Sequence, residues 1–210
     1  MTFTLDLPPG PLAEAALSAA RDSESSPVFH HSVRSFFFAQ LLAARDGCLA
    51  DSDYDRDLLF AATVMHDLGA GSRAAGAARF EVEGADLAAQ LLREHGAAEA
   101  DVDRVWEAIA LHTSPGIAER RGLLCYLTRE GVGVDFGRKA EVAAAWAGQI
   151  HAAYPRLGMA RALTDAIVAH AARSAAAAPP YTLAGELARE RRDGGVTRLE
   201  LATASAGWGE

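Results

Sequence analysis

The sequence contains little of what stabilises a disulfide-bonded or sheet-rich protein. Its 210 residues include two cysteines, Cys48 and Cys125, which give no disulfide framework and suit a reducing compartment. Aromatic residues make up only 7% of the chain and β-branched residues are sparse, whereas alanine is abundant. This composition favours helices over sheet, and we therefore predict an all-α protein.

Positive charge and long apolar runs are also scarce. The chain has 20 lysines and arginines against 28 aspartates and glutamates, a net charge of −8 at pH 7, so it lacks the basic surface expected of a nucleic-acid-binding protein. No apolar run is long enough to span a bilayer, and the N-terminus lacks the basic and apolar regions of a secretory signal. We expect a cytoplasmic protein that acts on a small molecule and binds neither nucleic acid nor a membrane. The sequence leaves open whether the protein forms a homo-oligomer.

The length of the chain suits one compact domain, and helical periodicity recurs along it. Residues 1–26 are predicted to form a leader and a short helix, residues 27–192 a helical bundle, and residues 193–210 an extended tail. Within the bundle, residues 117–138 are interpreted as mostly loop with short turns, including the glycine-punctuated stretch 131–137. The predicted fold is therefore a single all-α bundle.

One apolar, alanine-rich helix is predicted to end in an adjacent histidine and aspartate, His66 and Asp67. Leu59, Ala62 and His66 are spaced i, i+3, i+7, so His66 shares the buried face of that helix. Gly69 stands where a helix would stop. An imidazole nitrogen and a carboxylate oxygen at this point can bind one cation from two directions. Because a His-Asp dipeptide also occurs by chance, a metal site requires further ligands from elsewhere in the chain.

Two more polar residues stand in apolar surroundings. His31 follows a helix start and precedes a phenylalanine-rich face, and Asp135 lies among glycines and valines. Taken singly, each candidate also has an ordinary structural interpretation. His31 is then a first-turn histidine, His66 a core histidine, Asp67 a carboxylate near a loop, and Asp135 a turn former.

The order His31, His66-Asp67, Asp135 resembles the HD superfamily of metal-dependent hydrolases, whose members carry a histidine, a His-Asp pair and a distal aspartate on a helical bundle. The flanking segments are similar to those of the cyanamide hydratase-like branch. They are His31-Ser32-Val33-Arg34, Arg79-Phe80-Glu81-Val82-Glu83-Gly84-Ala85-Asp86, Leu111-His112-Thr113 and Gly133-Val134-Asp135. The resemblance covers residues 27 to 140 and extends more weakly to residue 192, and it implies an HD-domain fold.

The resemblance implies a divalent transition metal with four protein ligands: His31, His66, Asp67 and Asp135. Two nitrogens and two oxygens suit Zn, Fe, Mn or Ni, and the sequence does not choose among them. His30 competes with His31, but it stands where this branch often has a non-ligating polar residue.

Binuclear relatives have two further histidines between the His-Asp pair and the last aspartate. His112 matches the second of these, whereas no histidine stands at the first position, near Phe80 to Val82. We therefore expect one metal.

Two residues are the candidates for catalysis. Asp67 can share its second oxygen with a water and accept its proton. His112 lies on the stripe of Val105 and Ile109 and so points inward, either as a core histidine bonded to a backbone carbonyl or as a proton donor beside the metal.

Two further residues are the candidates for substrate binding. Arg34, on the same helix face as His31, is interpreted as binding an anion or holding a ligand carboxylate. Thr113 is interpreted as a hydrogen-bonding group for the substrate.

The resemblance implies that water is added to a small nitrile-type substrate, as in cyanamide hydratase. One alternative is a phosphohydrolase that acts on a nucleotide or a small phosphate ester; another is a non-catalytic ligand-binding protein that contains a metal. The phosphate alternative is disfavoured by the acidic charge balance and by the absence of lysine in Ala70-Gly71-Ser72-Arg73, although Arg34 and Arg73 could serve a phosphate. The full set of metal ligands argues against a pure binding protein.

Overall fold

The computed structural model describes residues 3–208, in which ten α-helices and no β-strand occur. The predicted all-α fold is confirmed. In chain order the helices are α1 (Pro11–Ser23), α2 (Ser26–Arg45), α3 (Arg56–Val64), α4 (Phe80–Glu94), α5 (Glu99–Leu111), α6 (Leu123–Asp135), α7 (Ala147–Ala153), α8 (Met159–Ala171), α9 (Leu183–Gly194) and α10 (Arg198–Ala204).

Helix α2 is the central element of the bundle. Phe36, Phe37 and Phe38 follow one another around the helix, and all three are fully buried. A helix that buries apolar side chains all round must be surrounded by other elements, and α3 and α6 pack along it. The central position of α2 carries His31 and Arg34 into the interior of the protein.

The interpretation of residues 117–138 as mostly loop is wrong, because Leu123–Asp135 form helix α6. Gly131 belongs to the contact between α6 and α2: a β-carbon at this position would lie 2.5 Å from the Ser35 carbonyl oxygen and 2.7 Å from the Ala39 side chain. The glycine therefore permits close helix packing, which outweighs its low helix propensity.

The extended tail predicted for residues 193–210 is also corrected where the structure describes it. Residues Arg198–Ala204 form α10, which opens with a capping box between Thr197 and Glu200. The Trp208 indole N–H then donates to the Val134 carbonyl oxygen at 2.7 Å. The division at residues 26/27 and 192/193 stays a prediction.

Two cores hold the helices together. The larger core includes residues of α1 to α7, and the smaller one joins α8 and α9 to Val28 and Phe80. Among residues 3–208, no helix combines the length and the apolar character needed to cross a membrane.

Candidate metal centre

His66 and Asp67 lie in the turn that follows α3. The helix begins at the Asp55 cap, whose carboxylate accepts from the backbone N–H groups of Asp57 and Leu58, and it ends at Val64, two residues before the His-Asp pair. Gly69 does not cap the helix in a left-handed conformation. It allows the turn to approach α4 closely, since a β-carbon there would collide with the Phe80 carbonyl oxygen.

The turn brings His66 and Asp67 against His31 of α2. The Asp67 Oδ2 atom lies 3.1 Å from His66 Nε2 and 3.8 Å from His31 Nε2. One ligand atom from each of the three residues can be chosen so that all lie within 4.8 Å of one another. The side chains are at most 1% exposed, so a cation bound there would be shielded from bulk water.

The hydrogen bonds behind the two rings fix which nitrogen faces this cluster. His66 Nδ1 lies 2.7 Å from the Thr63 carbonyl oxygen, and a carbonyl only accepts, so Nδ1 carries the proton in the neutral ring. His31 Nδ1 lies 2.6 Å from Asp135 Oδ2 and donates to that carboxylate. Both rings therefore present an Nε2 lone pair on the side of Asp67, as a metal ligand requires.

Three buried ligand atoms are left without a hydrogen-bond partner in the described part of the chain: His31 Nε2, His66 Nε2 and Asp67 Oδ2. Buried polar atoms are nearly always hydrogen-bonded. Two imidazole nitrogens and a carboxylate oxygen are common ligands of Zn and related divalent metals. The residues present therefore fit a divalent transition metal.

The electrostatics of the cluster agree with a cation site. Burial alone would raise the pKa of Asp67, but the nearby His66, His31 and His112 hold it well below its usual range. Burial lowers the pKa of His31 despite its bond to Asp135. Burial alone would lower the pKa of His66, but the charge of the adjacent Asp67 carboxylate raises it. The site thus holds an ionised carboxylate beside imidazoles.

His112 lies at the edge of the cluster. Its Nδ1 donates to the Ile109 carbonyl oxygen at 2.7 Å, its Nε2 lies 3.9 Å from Asp67 Oδ1, and its ring centroid is 4.9 Å from that of His66. Burial, followed by the neighbouring His66, lowers the pKa of His112 to about 4. The ring is therefore neutral at pH 7, with an Nε2 lone pair that can accept a proton before donating one.

Asp135 lies outside the three-residue group. It is the last residue of α6 rather than part of a loop, and its carboxylate contacts the Nδ1 edge of His31. Arg34 is fully buried and binds both Asp135 oxygens, with Nε 2.7 Å from Oδ1 and Nη2 2.6 Å from Oδ2. Of the two interpretations of Arg34, these contacts correspond to holding a carboxylate.

Two buried glutamates beside the site were not identified from the sequence. Glu81 accepts from the Thr113 hydroxyl at 2.5 Å and from Arg79 at 2.8 Å, so the Thr113 hydroxyl proton is directed at Glu81. Burial alone would raise the pKa of Glu81, but Arg79, Thr113 and His112 keep it below its usual range. The sequence did contain a signal for this residue, because Glu81 stands within the segment from Arg79 to Asp86 that is similar to the cyanamide hydratase-like branch.

No sequence feature pointed to Glu24, the second of these glutamates, because it lies in a polar break between α1 and α2. Its Oε2 accepts from the Ser32 hydroxyl at 3.1 Å, and its Oε1 is buried without a hydrogen-bond partner in the described residues. Burial, then the charge of Asp67, raises the pKa of Glu24 well above its usual range.

The competing histidine, His30, is only partly buried, and its Nδ1 faces the Pro155 carbonyl oxygen at 3.0 Å. It is not part of the three-residue group.

A family model described as HD domain matches residues 28–176 of the chain. The matched segment contains His31, His66, Asp67, His112 and Asp135. The comparison with curated proteins yields no match.

Proposed function

Because the chain belongs to the HD domain family, whose members are typically metal-dependent hydrolases, we propose that it is an enzyme that uses a divalent metal to activate water. The metal is held by His31, His66 and Asp67. The substrate is a small nitrile-type molecule, to which the enzyme adds water as cyanamide hydratase does.

The metal proposal depends on one observation: His31 Nε2, His66 Nε2 and Asp67 Oδ2 lie close together, are buried, and have no hydrogen-bond partner among the described residues. Zn, Fe, Mn and Ni all accept two imidazole nitrogens and one carboxylate oxygen. A divalent metal at this centre would lower the pKa of a coordinated water toward neutrality.

The residues around the centre supply the proton transfers of a hydration. The oxygen of water bonds to the nitrile carbon, one of the carbon–nitrogen π bonds breaks, and a proton moves from the water to the nitrogen. The remaining hydroxyl proton then moves to the nitrogen as the second carbon–nitrogen π bond is replaced by a carbonyl bond, which gives the amide or, from cyanamide, urea. Neutral His112 suits this transfer, because its Nε2 accepts the proton on the Asp67 side and then delivers it to the substrate nitrogen. Asp67 would help to hold a metal through one carboxylate oxygen, and its other oxygen would orient the water.

The charges near the centre favour an uncharged substrate over a phosphate. Arg34 is paired with Asp135 and Arg79 with Glu81, whereas Arg73 is exposed to solvent. Glu81 and Asp67 add two buried carboxylates to the same region. A phosphate would therefore meet acidic groups and arginines that are already paired.

The test is a substrate screen on protein reconstituted separately with Zn, Fe, Mn and Ni. Cyanamide, simple aliphatic nitriles, nucleotides and phosphate esters are compared, with urea, amide and free phosphate as the measured products. We expect urea or amide to form in a metal-dependent manner. Release of phosphate without any hydration would support the phosphohydrolase instead, and a metal-loaded protein that turns over none of these compounds would support the non-catalytic alternative.

A further inference from the structure

Asp135 stands where the family resemblance implies a fourth metal ligand, yet the Asp135 carboxylate already has a partner at every acceptor position. Oδ1 accepts from Arg34 Nε at 2.7 Å and from Arg156 Nη1 at 3.2 Å. Oδ2 accepts from Arg34 Nη2 and from His31 Nδ1, both at 2.6 Å. A carboxylate offers about four lone-pair positions, so these four donors fill them.

The direction of the His31 ring separates Asp135 from the proposed metal. Nδ1 and Nε2 lie on different edges of an imidazole, and their lone pairs diverge. Asp135 occupies the Nδ1 edge at 2.6 Å, whereas Asp67 lies on the Nε2 side at 3.8 Å. A cation between His31 Nε2 and Asp67 is therefore separated from Asp135 by the imidazole.

The backbone and neighbouring side chains hold Asp135 in this place. Arg156 Nη1 donates to the Asp135 carbonyl oxygen at 2.9 Å, and Arg34 Nη1 donates to the carbonyl oxygens of Tyr154 and Pro155 at 3.0 and 3.1 Å. If the carboxylate turned toward the metal, the buried Arg34 guanidinium would lose its ionic partner. Such a buried charge is costly to leave unpaired.

We propose that Asp135 is a positioning residue that acts on the metal centre through His31, and that it is not a metal ligand. This inference rests on the proposed metal site. By accepting the Nδ1 proton, the carboxylate fixes the tautomer that presents Nε2 to the metal and makes that nitrogen a better ligand. Arg34 in turn fixes the carboxylate. Three protein ligands then leave coordination positions for water and substrate.

The test compares the same substitution at two carboxylates, Asp135→Asn and Asp67→Asn. Zn²⁺ affinity and stoichiometry are measured by competition with a chelator, the visible absorption spectrum is recorded with Co²⁺, and circular dichroism reports folding. Asp135→Asn is expected to bind one metal per chain about 10–100-fold more weakly, the range found for outer-shell partners, with the absorption maxima of the wild-type Co²⁺ protein. Asp67→Asn is expected to lose stoichiometric binding.

Two results for Asp135→Asn would overturn the assignment. Loss of stoichiometric metal with a changed Co²⁺ spectrum, as for Asp67→Asn, would make Asp135 a ligand. Unchanged affinity per folded molecule would make it a structural residue only. Wild-type protein that takes up no metal would instead overturn the proposed function, and it is measured first.

A measurement on the wild-type protein covers the case in which Asp135→Asn does not fold. With ¹⁵N-labelled histidine, the His31 Nδ1 proton is assigned through its proximity to the Phe136 ring, 5.1 Å away between centroids. We expect this strongly deshielded signal to persist after Zn²⁺ is added. Its loss on metal binding would mean that the carboxylate had left His31 for the metal, and would overturn the inference.

Discussion

Asp67 and Asp135 are both buried at the same histidine, but their surroundings differ. Asp135 faces two arginines and His31 Nδ1, and its acceptor positions are filled. Asp67 faces imidazole nitrogens, and its Oδ2 has no hydrogen-bond partner among the described residues. Burial opposes ionisation of both groups, yet Arg34 holds the pKa of Asp135 low and the histidines hold that of Asp67 low. A carboxylate whose acceptor positions are all filled can hold its neighbours in place, whereas a carboxylate with an oxygen that lacks a hydrogen-bond partner can bind a cation.

Removal of Arg34 should have the largest effect on stability. Arg34→Ala leaves the buried Asp135 charge without its bidentate partner, and breaking a buried pair in this way typically costs about 3–5 kcal/mol. The free energy of unfolding is measured by urea titration of the metal-free protein.

The matched control is Arg93→Ala, which removes an exposed arginine paired with Glu99 and should change the unfolding midpoint little. If Arg34→Ala were no more destabilising than this control, the Arg34–Asp135 pair would not support the site.

Near Asp67, the substitution His112→Ala should reduce the turnover rate and leave the metal bound. A positioned acid or base contributes about 10²–10⁴-fold in rate, and His112 lies beside Asp67 Oδ1 rather than within the three-residue group. Metal analysis is paired with kinetics on the substrate that the screen identifies.

Loss of the metal along with activity would make His112 a ligand. Unchanged kinetics would make it the core histidine that bonds to a backbone carbonyl, and two metals in the wild-type protein, one lost in this variant, would place the protein with its binuclear relatives.

The smallest expected effect concerns Glu24, whose Oε2 accepts from Ser32 and whose Oε1 has no hydrogen-bond partner among the described residues. Because the pKa of Glu24 is raised well above its usual range by burial and then by Asp67, the folded metal-free protein retains a proton that the unfolded chain releases. Stability should therefore fall as pH rises from the ordinary carboxyl pKa toward the raised value.

Glu24→Gln should flatten this decline and stabilise the metal-free protein at neutral pH by on the order of 1 kcal/mol. Unfolding titrations at several pH values test this prediction. If the variant and the wild-type protein lost stability in parallel as pH rises, Glu24 would not be the group responsible.

The sequence predicted the helical bundle well, because apolar periodicity and alanine content act locally. The prediction from sequence failed at α6. Local rules interpret Gly131 as a loop residue, whereas in the structure this glycine permits close packing of α6 against α2. The prediction also failed at α10, although the capping-box pair Thr197 and Glu200 was readable in the sequence.

The candidate site, like the fold, was predicted only in part from the sequence. His66 and Asp67 are adjacent, so their shared position followed from the sequence. The pairing of Asp135 with Arg34 joins residues 101 positions apart, and no local rule tells a metal-facing carboxylate from an arginine-bound one. Glu24 was missed because its partner Ser32 lies eight positions away in α2, and no local sequence pattern joins the two residues.

The central claim is that His31, His66 and Asp67 hold a divalent metal, and elemental analysis tests it most directly. The wild-type protein, His66→Ala and His30→Ala are reconstituted in parallel with Zn²⁺ and freed of excess metal. We predict about one metal per chain in the wild-type protein and in His30→Ala, whose histidine faces the Pro155 carbonyl, and none in folded His66→Ala. Full metal content in His66→Ala would contradict the account.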